Sequence, residues 1–458
     1  MTAPTVLRFG VFFQGVNFST VWSDPASGSQ IDFESFRRVA QTAERGLFSA
    51  FFLGEGLRLR EHLGRLHQLD VAGRPDAQTQ LAALAAVTER IGLVATQNTT
   101  YNDPFDLAHR LNSLDLLSGG RAAWNIVTTD NAWTGANFRR GGYLDHADRY
   151  THAEAVVVAA KALWDAWDAE IAESPDAATW SHHGPSGHTS ATVTAQTAHY
   201  AAEAATRLPR SPQGHPVLFQ AGDSPDGRDF AARQADVIFS AHSAFDAAEA
   251  FAADIRQRTL KAGRPANDLK IFPGQEFVIA DTDAEAEEKA RWLRRAQISP
   301  QTAIAFIENI WGTDLSALDP DGPLPAFDPV QETTGETRGT AFRAAQAKTT
   351  ADAWRERSEA EGLSIRDLVI ALNSTRGFVG SAGSVAATLQ RYADAGIVDG
   401  FNITPWLIPS GLDDIVDLLV PELQERGIYP TEYAGTTLRE NLGLRPPLTR
   451  RERAAQSA

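Results

Sequence analysis

The chain has 458 residues, 43% of them hydrophobic and 22% charged, with 42 basic against 58 acidic side chains and a net charge of -16. That is enough apolar material to bury a large core, while the negative charge, with no long Lys/Arg run to offset it, argues against nucleic acid and anionic membrane as partners. There is no cysteine, which excludes disulfides, zinc-thiolate centres, iron-sulfur clusters and thiol nucleophiles, so any chemistry falls to His, acids, hydroxyls or a cofactor.

The N-terminal MTAPTVLRFGVFF lacks the basic n-region and long apolar h-region of a signal peptide, and no apolar run approaches the roughly 20 residues that span a bilayer. A cytoplasmic chain is expected. Eight short apolar runs follow in chain order: LRFGVFF from Leu7, FSAFFLGE from Phe48, IGLVATQNT from Ile91, RAAWNIVTT from Arg121, PVLFQAG from Pro216, DVIFSA from Asp236, LKIFPGQEFVIA from Leu269 and GFNITPWL from Gly400. Between them, FESFRRVAQTAERG, AQTQLAALAAVTER, AEAVVVAAKALWDAWD and SVAATLQRYADAG space apolar residues three and four apart, as amphipathic helices do.

The runs are apolar at almost every position, as parallel strands buried on both faces must be. The alternation predicts a (β/α)8 TIM barrel over 1–458 as one domain, with insertions at about 169–215 and 299–380 above the C-terminal face of the strands. An open doubly wound sheet is the rival, but no GxGxxG follows the first strand.

In such a barrel the residues after each strand carry function. Glu55 follows the second run and suits either a ligand NH or OH, a helix cap or a salt bridge. TQNTTYNDPF places Asn98, Thr99 and Thr100 at the rim, with Asp103 and Pro104 suited to starting a helix. The fourth run carries Asn125, Thr128 and Thr129 on an apolar strand, where each needs a partner. His146 and Tyr150 lie four apart on one helix face, a spacing that taken alone more often serves packing than a ligand. After the fifth run, GDSPDG gives Gly222, Asp223, Ser224 and Gly227 a small-residue turn into a helix whose free N–H groups and dipole suit a phosphate, and Arg228 can add charge. Phe12, Phe13, Phe18, Trp22 and Trp133 line an apolar pocket or pack the core. His182, His183 and His188 share a polar loop without a matching carboxylate motif, and no GxSxG occurs, so metal and serine-hydrolase readings have no anchor.

The segments SLDLLSGGRAAWNIVTT, HADRYTHAEAVVVAAKALWDAW and FQAGDSPDGRDFAARQADVIF together resemble the bacterial luciferase-like flavin monooxygenases, in the nitrilotriacetate and dibenzothiophene sulfone monooxygenase branch. The resemblance implies a barrel that takes reduced FMN from a separate NAD(P)H:flavin reductase, uses O2, and oxygenates a small organic molecule. It implies that Glu55, Thr99, Asn125, His146, Tyr150, Asp223 and Ser224 hold FMN and that the chain forms a homodimer or homotetramer; from their placement at strand ends Phe12, Phe18, Trp22 and Trp133 are expected at the substrate pocket, and no metal is expected. Many relatives carry a His pair where this chain has Asn17 and Phe18. A deazaflavin- or nicotinamide-dependent oxidoreductase on the same barrel, or a flavin-binding protein without catalysis, are the alternatives.

Overall fold

The computed structural model describes residues 5–13, 19–59, 61–62, 65–66, 72–129, 132–138, 148–166, 175–176, 181–182, 193–196, 201–204, 206, 208–330, 337–338, 344–373, 377–449 and 452. Eight strands close a barrel: β1 (Arg8–Phe12), β2 (Ala50–Leu53), β3 (Gly92–Asn98), β4 (Ala122–Val127), β5 (Val217–Gln220), β6 (Val237–Ser240), β7 (Lys270–Gln275) and β8 (Gly400–Ile403). Each pairs in parallel with its neighbour in the chain, and β8 closes on β1 with Gly10 opposite Asn402. Every residue of β2, β3, β5 and β8 is buried, which is why the strands read as unbroken apolar runs.

Helices α1 (Phe33–Arg45), α2 (Ala77–Ala85), α3 (Pro104–Leu117), α4 (Asp148–Trp164), α5 (Pro225–Gln234) and α6 (Phe245–Lys261) follow β1 to β6 in turn. Their starts are fixed locally. Asp103 accepts from Phe105 N, with Pro104 opening α3, and Ser224 accepts from Gly227 N ahead of Pro225, so each cap satisfies an N–H that the helix cannot. Between α3 and β4, Gly119 and Gly120 adopt φ of 70° and 89°, a left-handed turn that disfavours side-chained residues.

The seventh run was expected as a single strand, but it divides. Lys270–Gln275 stays in the barrel, whereas Phe277–Ala280 leaves it to pair in parallel with Phe378–Ser381. A run apolar throughout has no period from which to read a break. Beyond it come α7 (Asp283–Gln297), α8 (Pro300–Trp311), α9 (Ala344–Glu361) and α10 (Ile365–Asn373) before α11 (Ala382–Ala395) leads to β8. Ile298, Ile307, Trp311, Ile365 and Val369 give this stretch a small core of its own. Of the earlier His- and Thr-rich stretch, Val193–Gln196 pairs antiparallel with Ala201–Ala204, while His183 and His188 lie outside the described residues. No helix among the described residues is long and apolar enough to cross a membrane.

The N-terminal end of the barrel is plugged by α12 (Leu438–Asn441), whose Leu438 packs with Leu442 among Ala50, Val94, Val217 and Phe272. A Cβ on Gly92 would stand 2.4 Å from Leu438 Cδ1, so the strand is glycine where the plug seats. Charges at this end are paired. Arg439 reaches both carboxylate oxygens of Asp236, at 3.3 and 3.2 Å, and Arg121 donates to Thr88 and to the carbonyls of Ala85 and Ile91.

Candidate active site

Strand register sorts the barrel residues by face, because alternate side chains point in and out. The interior carries a chain of aromatic rings: Phe12 lies 4.6 Å from Phe52, Phe52 lies 4.9 Å from Phe239, and Phe239 lies 5.3 Å from Phe219. Interior positions of β4 and β8 are polar instead. Asn125, opposite Thr96 and Phe219, donates from Nδ2 to Thr96 Oγ1 at 3.0 Å, and Asn402 stands opposite Gly10.

Polar groups on both faces of these strands and at their ends are unsatisfied. Asn125 Oδ1, Asn402 Oδ1, Gln220 Oε1, Ser240 Oγ and Thr100 Oγ1 are buried without a hydrogen-bond partner. They belong to five different strands or strand ends, β4, β8, β5, β6 and the end of β3. A buried polar atom left unpaired costs about 1–3 kcal/mol, and such groups are uncommon. These five lie toward the C-terminal ends of their strands, where a polar ligand would complete them. Asn125 was legible in the sequence; Asn402, Gln220 and Ser240 were not singled out, although each interrupts an apolar run in the same way.

The turn after β5 is tightly built. Ser224 caps α5, its Oγ accepting from Gly227 N at 3.2 Å. A Cβ on Gly222 would lie 2.6 Å from the Tyr150 hydroxyl oxygen and 2.3 Å from Gln220 Nε2; one on Gly227 would lie 2.7 Å from the same hydroxyl and 3.0 Å from Gly222 backbone. Tyr150, held on α4 with its ring 5.7 Å from Phe230, therefore places its hydroxyl against the glycines of the turn. The structure thus brings together Tyr150, Gly222, Ser224 and Gly227 at the N-terminus of a helix, where backbone N–H groups and the dipole favour an anion.

Asp223 faces another way. Its carboxylate accepts from Arg228 at 2.8 Å and lies 3.0 Å from His242 Nε2, and Arg228 also donates to Asp254 at 2.9 Å. The Arg228 charge is thereby shared between two aspartates. Thr99 is fully buried with its hydroxyl donating to the Val127 carbonyl at 3.2 Å, and its own carbonyl accepts from His152 Nε2 at 3.1 Å. His152, two residues beyond Tyr150, is a contact that the sequence reading did not single out.

Glu55 sits where β2 gives way to α2. Its Oε2 accepts from Gln97 Nε2 at 2.8 Å and its Oε1 from Ala77 N, at the first residue of α2, at 3.4 Å. Burial pushes its carboxyl up to about 7, with the neighbouring Asp76 charge adding to the push. A carboxyl at that value holds and releases a proton near neutrality, as a general acid or base requires. Among the apolar candidates, Phe12 is half-buried against Phe52, and Trp22 is 47% exposed. Trp133 begins its place in a short helical turn, Ala132–Gly135, with a side chain outside the described set. His146 and Phe18 lie outside the described residues.

Comparison with known proteins fits this architecture. The family model described as luciferase-like monooxygenase matches residues 7–399. The chain is 36% identical over 461 residues to N-acetyl-S-(2-succino)cysteine monooxygenase of Bacillus subtilis (strain 168), covering 97% of this chain and 98% of that one. It is 34% identical over 475 residues to nitrilotriacetate monooxygenase component A of Aminobacter aminovorans, covering 98% of each. Among solved structures, riboflavin lyase with modified FMN and riboflavin superposes with a TM-score of 0.76 at 28% identity, covering 97% of this chain and 98% of that one. By fold, matched length and identity to curated relatives, the chain belongs to the luciferase-like monooxygenase family of oxidoreductases.

Proposed function

We propose that this protein is the oxygenase component of a two-component monooxygenase, receiving FMNH2 from a separate NAD(P)H:flavin reductase and using O2 to oxygenate a small heteroatom-bearing or halogenated organic molecule. C–S, C–N or C–halogen cleavage, or N-oxidation, are the outcomes that such an oxygenation gives. The observation that carries the reading is the pairing of an anion cradle, at Tyr150, Gly222, Ser224 and Gly227, with the orphaned interior oxygens of Asn125 and Asn402. A phosphate at one end of a planar, hydrogen-bonding ring system is the ligand shape that satisfies both.

Reduced flavin supplies the activation of O2 when bound; the chain supplies the rest. Ser224 and the free N–H groups that begin α5 hold the phosphate, with Tyr150 as the facing hydroxyl and His146 and Asp223 as further groups of the same end. The amides of Asn125 and Asn402 orient the ring, Thr99 shapes the rim, and Glu55 holds or moves a proton at its carboxyl. Phe12, Phe18, Trp22 and Trp133 exclude water from the reacting end and receive the apolar part of the substrate. The names of the relatives support this division: one is component A of its system, and another acts on a thioether.

The test is anaerobic titration of the purified protein with FMNH2, followed by turnover with FMN, NADH and a generic flavin reductase under 18O2. Label in the product, dependent on both reductase and FMN, is expected. Absence of FMNH2 binding would refute the cofactor assignment.

A further inference from the structure

One half-buried cation at the C-terminal face is unaccounted for by the flavin site. Arg74 lies in the connection between β2 and α2, on the side of the barrel where loops follow the strands. Its guanidinium carbon stands 5.6 Å from the centre of the Phe13 ring, the residue immediately after β1. Its Nε and Nη2 are buried without a hydrogen-bond partner, and among the described residues it has no ion-pair partner. Of the other arginines with a buried, unbonded Nε, Arg149 stacks on the Tyr150 ring, and Arg37 and Arg439 discharge onto Glu34 and Asp236. Arg74 does not.

Nearby acids are already committed. Asp76 caps α2, accepting from Thr79 N at 2.7 Å and Thr79 Oγ1 at 2.8 Å, and Glu55 is engaged by Gln97 and Ala77 N. A charge taken out of water without a partner is strongly unfavourable, and a guanidinium stacked on an aromatic face keeps its edge nitrogens free for a planar anion. The connection holding Arg74 also meets the loop after β1, since a Cβ on Gly73 would rest 3.5 Å from Ile31 Cδ1. In that loop, Gln30 has both amide atoms buried and unbonded.

The flavin phosphate is not the anion in question. The cradle for it follows β5, and in the closed order β1 to β8 the fifth strand lies across the barrel from β1 and β2. We propose that Arg74 binds a carboxylate of the substrate, so that the molecule oxygenated is an organic carboxylate, held on the β1–β2 side of the mouth by the planar two-nitrogen edge that matches a carboxylate. In a chain of net charge -16, a carboxylate substrate needs such a local cation to enter at all. This deepens the proposed function and rests on the mouth being the flavin and substrate site.

The probes are succinate and tricarballylate, which carry carboxylates but no heteroatom to oxygenate, with tricarballylic triamide and inorganic phosphate as controls. Binding to the FMN-loaded protein is followed by calorimetry and by the shift in thermal midpoint. Tricarballylate is expected to bind and stabilise the wild-type protein, the triamide and phosphate not to. Arg74→Met should weaken tricarballylate binding about tenfold or more while leaving FMN affinity and the thermal midpoint without ligand no lower than wild type. Arg74→Lys, keeping the charge but losing the planar edge, should fall between. Independently of any variant, tricarballylate should protect Arg74 from phenylglyoxal, read by peptide mass. FMN binding with no carboxylate binding, equal binding to Arg74→Met, equal stabilisation by phosphate, or unprotected Arg74 would each overturn the proposal and leave the flavin reading standing; failure to bind FMN would instead strike that reading.

Discussion

Replacing Gly227 with Ala tests the anion cradle at one atom. The added methyl would sit 2.7 Å from the Tyr150 hydroxyl oxygen and 3.0 Å from both the carbonyl carbon and the Cα of Gly222. All three are well inside carbon contact distance, and two are backbone of the turn itself, so the turn must open or Tyr150 must retreat. Overpacking of this kind costs about 1–3 kcal/mol. If the turn is formed only in the flavin-competent state, that strain appears in binding as a loss of roughly 5- to 150-fold in FMN affinity. Tyr150→Phe in the Gly227→Ala background should recover part of the loss by removing the hydroxyl contact, but not the part due to Gly222 backbone. Gly383→Ala is the control, since its methyl meets nothing within 4 Å in α11 and should be neutral or slightly stabilising. The assay is fluorescence or calorimetric titration with FMN beside a thermal melt. Wild-type FMN affinity in a folded Gly227→Ala protein would refute the cradle.

Other perturbations separate the mouth from the base. Glu55 has a folded-state value near 7 against an ordinary 4.5, so the folded protein keeps a proton there that the unfolded chain releases. Its contribution to stability is complete below about 4.5 and is lost as pH rises through 7. Glu55→Gln should therefore gain on wild type in urea melts between pH 5 and 8, and should remove an inflection near pH 7 from the turnover profile; parallel pH curves for the two would show the carboxyl to be ordinary. Asn402→Ala removes an orphaned buried oxygen, so the protein without ligand should lose little stability while FMN binding weakens about tenfold, measured by the same titration. Arg439→Met leaves Asp236 buried without its partner and should cost about 3–5 kcal/mol in denaturant unfolding, with unchanged FMN affinity in the folded fraction.

Much of the barrel was readable because a parallel strand buried on both faces leaves an apolar run, and each of the eight runs supplied a barrel strand. What the runs conceal is phase. LKIFPGQEFVIA gives no period, so the departure of Phe277–Ala280 from the barrel is decided by contacts with Phe378–Ser381 about a hundred residues later. The same loss of phase hides Asn402, which becomes an interior group only once register is known, and Gln220, which falls with Leu218 on the helix-facing side of β5 beside the Gly222 turn. Tyr150 and Ser224 could be named singly from their local motifs, but that the Tyr150 hydroxyl meets Gly222 and Gly227 is a tertiary fact. So is the engagement of Asp223 by Arg228 and His242, and of Glu55 by Gln97, 42 residues away.

The two ends of the barrel treat their buried polar groups differently. At its base each of the main buried charges has partners: Arg439 with Asp236, Arg121 with five oxygens, Asp115 with Ala122 N at 2.9 Å and Gln213 Nε2 at 2.7 Å, although Arg439 Nε and Asp115 Oδ2 stay unbonded. Toward the mouth, the interior side-chain oxygens of Asn125 and Asn402 are just as buried but accept from nothing. Burial alone cannot produce that difference, since both sets lie in the same fold and a strand position can be filled by Val or Ile at no polar cost. Networks that complete themselves stabilise the chain; a set that stays incomplete lowers its stability until something binds. The incomplete set is therefore the part of the sequence that folding does not explain, and the part from which ligand chemistry can be read.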